Sequence, residues 1–152
     1  MPRTRTRHIV ALMSELATLS AVGATRPAPR CSEDKLAQVC GDVAAVFKRA
    51  WGRGPVRTTA HWAGPSILVV MLENGHTEAE RTMRAAGHIQ ELLGGRHLLQ
   101  VLIEDDLKAS VARILGLPVV TMLSATRLDP DLSAEIFVLG SNGSDGRPAP
   151  CQ

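Results

Sequence analysis

The stretch AWGRGPVRT (50–58) sets Arg53 between two glycines, with Pro55 and Arg57 close behind and His61 four residues further on. A guanidinium beside bare backbone amides is a means of holding an anion, since glycine lets the N–H groups approach a phosphate or carboxylate closely. On an extended strand Arg57 and His61 share one face. Arg53, Gly54, Arg57 and His61 therefore form the candidate binding patch, suited to a small anion such as bicarbonate or to an acidic partner surface. A charged strand edge that discourages pairing is an equally good reading of the same residues. A phosphate cradle is disfavoured by the order of elements. In such loops the glycines lead into a helix whose N-terminal dipole faces the anion. Here a helical segment runs into the glycines and an extended one leaves them, so the first task of GRGP is to end a helix.

Glu73, His76 and Thr77 are the one local cluster of acid, base and hydroxyl. Thr77 followed three residues later by Glu80 is a capping-box pattern, which already accounts for the hydroxyl and favours a polar turn over a catalytic trio. His8, His61, His76, His88 and His97 form no metal-binding pair by spacing and read as surface or partly buried side chains. Glu104, Asp105 and Asp106 point in different directions on a helix and read as a solvated face. Asp129, Asp131 and Glu135 lack the glycine and length of a calcium loop, so a turn is expected. Cys31, Cys40 and Cys151 make no C-x-x-C pair, and Cys40 falls on an apolar helix stripe where an inert thiol belongs. No metal, no cofactor and no catalytic residue is expected.

These residues need elements to hold them. Ser32 is a candidate N-cap for a helix carrying Glu33 and Asp34 in its first turn, an apolar stripe of Leu36, Val39, Cys40, Val43, Val46 and Phe47, and Lys48 and Arg49 in its last. VRTTAHWA and SILVVMLEN read as a hairpin turning at Gly64-Pro65, the second strand apolar on both faces and hence central. A helix beginning at Thr77 and a longer one reaching Gly116 follow, with a kink or break expected at Gly94-Gly95. VVTMLSATRL and AEIFVLG form a second hairpin around DPDLS. The order predicts an α+β fold: a four-stranded, mainly antiparallel sheet with helices on one face. The other face needs a cover, from an N-terminal helix or from a second copy in a homodimer.

Outside this body the sequence changes character. In residues 8–23 Ile9, Leu12, Met13, Leu16 and Leu19 recur at helical steps, ahead of the linker ATRPAPR. Residues 1–31 hold five arginines against one glutamate, whereas the remainder carries a slight acidic excess. A basic arm on a mildly acidic body, with only two Trp, two Phe and no Tyr in the chain, excludes a duplex binder or a base-stacking reader, so no nucleic-acid partner is expected. No run is long enough to be a membrane-spanning helix. The glycine-, proline- and serine-rich stretch 142–152 reads as a disordered tail.

Gly52-Arg53-Gly54-Pro55, then Thr77-Glu78-Ala79-Glu80-Arg81, Gly116, and Val119-Val120-Thr121-Met122-Leu123-Ser124, in this order across roughly residues 33–140, resemble the MpsC-like family, named for a sodium-translocating, membrane-potential-generating system. The resemblance implies a single MpsC-like domain over 32–141, acting as a non-enzymatic accessory to a membrane cation or bicarbonate transport or signalling system. It implies a transporter subunit as partner and a cytoplasmic location, peripheral to the inner face of the membrane. A small-anion sensor built on GRGPVR is the alternative, and a small enzyme a third.

Overall fold

A computed structural model describes residues 32–141. The predicted N-terminal arm, its helix and the tail lie outside the described residues. The order is α1 (Glu33–Trp51), β1 (Arg57–Trp62), β2 (Ile67–Glu73), α2 (Glu78–Ala85), α3 (Ile89–Leu115), β3 (Val119–Arg127) and β4 (Leu132–Leu139). The strands form one sheet in the order β1-β2-β4-β3, with every neighbouring pair antiparallel. The predicted α+β architecture is the observed one.

The sheet has two unlike faces because side chains alternate along a strand. Leu68, Val70 and Leu72 from β2 and Phe137 and Leu139 from β4 are buried with Val39, Val43, Val46 and Phe47 of α1 and Ile103, Leu107 and Val111 of α3. Each such side chain contributes about 1.5–3 kcal/mol on leaving water. On the opposite face Ile67, Val69 and Met71 lie beside Val138, Ile136 and Ala134 in register, all only half-buried.

Two local expectations need correction. α3 runs unbroken through Gly94 and Gly95; the break falls at Gly87, which takes a positive φ of 86° between α2 and α3. Leu92 and Arg96 are both buried on the inward side of α3, so packing on either side of the glycines holds the helix through them. Ser32 occupies the N-cap position of α1, but its side chain makes no capping hydrogen bond.

Candidate functional site at a three-loop junction

α1 ends because Gly52 adopts the left-handed conformation, φ 75°, which an L side chain enters only at a cost. The chain then doubles back along the helix it has left. A Cβ on Gly54 would stand 3.4 Å from both the Ala44 carbonyl oxygen and the Lys48 Cβ, so glycine permits the close approach. Val56 N–H donates to the Glu73 carbonyl at 2.9 Å and opens the β1–β2 ladder. GRGP is thus a helix stop and a chain reversal.

Two further loops meet it at this end of the sheet. The Asn74-Gly75 turn packs against Pro55, with 3.8 Å between an ideal Gly75 Cβ and Pro55 Cα, and Asn74 N–H donates to the Asp131 carbonyl at 3.1 Å. The Asp131 carboxylate grips His76 twice, accepting from its backbone N–H at 2.8 Å and lying 3.1 Å from Nδ1. Nδ1 therefore carries the proton of the neutral ring. Nε2 is buried with no partner among the described residues. Burial lowers the His76 pKa and the nearby Arg96 charge adds to the effect, against the opposing pull of Asp131.

Thr77 then caps α2. Its N–H donates to Glu80 Oε2 at 2.7 Å, and Glu80 N–H donates back to Thr77 Oγ1 at 3.2 Å, the reciprocal pair predicted from the sequence. The same Glu80 carboxylate receives Arg96 Nε at 2.7 Å and Nη2 at 3.1 Å. Burial pushes the Glu80 carboxyl up, but the hydrogen bonds from Arg96 and from the Thr77 backbone, with the Arg96 charge, hold it below its ordinary value. Arg81 spans Glu78 and the His76 carbonyl. Arg84 pairs with Asp129 at 2.7 Å.

Beside this network a cleft of about 280 Å³ opens between the helices, lined by Trp51, Thr77, Glu80, Met83, Gly95 and Arg96 among others. A smaller cavity of about 10 Å³ touches Trp51, Arg53, Arg96 and Asp131 and admits one water-sized group. The Trp51 ring stacks on Phe47 with centroids 4.9 Å apart, and its Nε1–H is buried without an acceptor among the described residues.

The structure distributes the four patch residues between two places. Exposed Arg53 borders the small cavity on the helix side, with Gly54 packed on α1. Arg57 and His61 share the opposite sheet face, as their strand spacing predicts, and Arg57 lies 3.7 Å from Glu73. Glu73 and His76 do not form an acid–base pair: each takes a different partner. Asp129, Asp131 and Glu135 likewise diverge, to Arg84, to His76 and into the core.

Glu135 is the residue that sequence reasoning placed worst. It is fully buried, accepting from Gln100 Nε2 at 3.0 Å and from Ser124 Oγ. Gln100 also donates to Thr126 Oγ1 at 3.2 Å, which pairs with Ser133 Oγ at 3.1 Å. Burial drives the Glu135 carboxyl up to about 7, and the bonds from Ser124 and Gln100 only partly offset it. The available signal was Arg96 and Gln100 standing four apart in the apolar stripe of α3, polar residues at core positions that required partners.

A family model described as Na+-translocating membrane potential-generating system (MpsC) matches residues 32–141, the whole described body. The chain belongs to the MpsC family. Comparisons with curated proteins and with solved structures give no match. The two motifs nearest the start of the MpsC resemblance, GRGP and TEAER, meet at the three-loop junction: one reverses the chain after α1, the other caps α2 and anchors it to α3. Among the described residues no helix is long and apolar enough to cross a membrane, and no group of three or more His, Cys, Asp or Glu is placed to hold a metal.

Proposed function

We propose that this MpsC-family chain is a non-enzymatic accessory module that binds a protein subunit of a membrane sodium-transport system from the cytoplasmic side. The match of the MpsC family model to all of residues 32–141 carries this reading. The chemistry of the junction agrees with binding rather than turnover, because its charged groups satisfy one another. Glu80 is closed by Arg96, Asp131 by His76 and Asp129 by Arg84, while the Thr77 hydroxyl serves the helix cap. No described helix crosses a membrane, so contact with the system is proposed to run through a protein partner. Cross-linked affinity purification of the chain from its native cells, with membrane and soluble fractions separated, tests it. Recovery of an integral membrane transport subunit is expected; recovery of the chain alone from the soluble fraction would overturn it.

A second reading is anion sensing at Arg53, favoured by the buried indole N–H of Trp51 that lines the same small cavity. Saturable bicarbonate or phosphate binding that is lost in Arg53→Ala and retained in Arg57→Ala would select it.

A further inference from the structure

Gly94 and Gly95 sit inside α3, neither with a positive φ, and a Cβ on either would meet nothing within 4 Å. Each costs about 1 kcal/mol relative to alanine in a helix. Among the described residues, nothing in the backbone conformation or the packing asks for glycine at these positions. One turn on Leu98, and two turns on Val101 and Leu102, are 60%, 52% and 68% exposed. Gly95, Leu98, Leu102, Asp105, Ala109 and Ala112 recur at alternating steps of three and four along this outward side, the spacing of a helix–helix seam.

We infer that this side of α3 packs against a second copy of the chain, the two helices antiparallel about a two-fold axis near Leu102. A two-fold interface must be complementary to itself, and the small and end-charged positions of this face are. With Leu102 on the axis, Gly95 falls opposite the partner copy's small Ala109, allowing close approach on both flanks of a centre formed by Leu98, Val101 and Leu102. Glu91 in the first turn falls opposite the basic Arg113 in the last, so each end meets its opposite charge. Among the described residues Glu91 and Arg113 meet exposed partners, His88 and Asp42, in surface contacts that contribute little and are cheaply exchanged. Two charged residues lie beside the centre: Asp105, roughly 9 Å along the helix from its copy, and the exposed Asp106, which falls opposite Leu98 at the edge of the seam. The half-buried face of the sheet is the competing surface, with Leu123 exposed at its β3 side.

Sedimentation equilibrium of the full chain tests this. The expected result is a dimer for the natural sequence, and monomers for Leu102→Glu and Gly95→Leu with unchanged circular dichroism. In a background where Cys31, Cys40 and Cys151 are serine, Leu102→Cys is expected to cross-link to its own copy on mild oxidation and Leu123→Cys is not. A monomeric natural chain, a dimer that survives Gly95→Leu, or cross-linking through Leu123→Cys in place of Leu102→Cys would overturn the inference.

Discussion

Arg96 of α3 donates to both carboxylate oxygens of Glu80 in α2, at 2.7 and 3.1 Å, while that carboxylate also takes the Thr77 backbone N–H. One buried side chain thus joins the loop after β2, the start of α2 and the second turn of α3. Removing one partner leaves a desolvated charge, a loss of about 3–5 kcal/mol. Arg96→Met is expected to lower unfolding stability in urea by that amount. Arg96→Lys keeps the charge but not the fork that meets both oxygens, and is expected to lose less.

Glu135 gives stability a pH dependence. Its carboxyl is raised from 4.5 to about 7 in the folded chain, so the folded state holds a proton that the unfolded state releases. The stabilisation is complete below pH 4.5 and is lost as pH rises to about 7, roughly 3 kcal/mol in all. Glu135→Gln keeps an acceptor for Gln100 without the charge. Urea unfolding across this range is expected to show the natural chain losing stability while the variant loses less.

His76 acts with the opposite sign. Burial holds its pKa below 6.5, so the unfolded chain binds the proton first. Its contribution is present above pH 6.5 and is lost as pH falls through the lowered value. His76→Asn offers an amide N–H to Asp131 and cannot charge. Unfolding measured in the Glu135→Gln background is expected to show a loss of stability below pH 6.5 that His76→Asn reduces, leaving the loss from Glu80 at lower pH.

Gly52 tests the reading of GRGP as a helix stop. Alanine at φ 75° is expected to cost about 1–2 kcal/mol, and asparagine, which tolerates this conformation, less. Gly94→Ala, in a helical position with open space around it, is expected to raise the melting temperature of the monomeric Leu102→Glu background. Thermal unfolding of the two alanine variants, with Gly52→Ala in the same background, checks the contrast.

Local patterns were legible in the sequence where one chemical rule acted alone. The stripe from Val39 to Phe47, the two-faced apolar run of β2 and the Thr77–Glu80 cap follow from periodicity and cap chemistry, and each stands where expected. The errors arose where tertiary packing decided. Propensity disfavours Gly94 and Gly95 in a helix, yet the buried anchors Leu92 and Arg96 carry the turn through them. His76 meets Asp131 from a loop 55 residues away, a pairing that no local spacing displays. Glu135 lies among apolar neighbours in AEIFVLG, and only the strand register, which brings Ser124 opposite it, with Gln100 above, reveals why a carboxylate is tolerated there.

The most direct test of an accessory role is sodium uptake by inverted membrane vesicles from the native cells, prepared with and without this chain. Loss of uptake on deletion, restored by adding the purified protein and equally by Glu73→Gln or His76→Asn, is the predicted result. Uptake that is unchanged by deletion would contradict it.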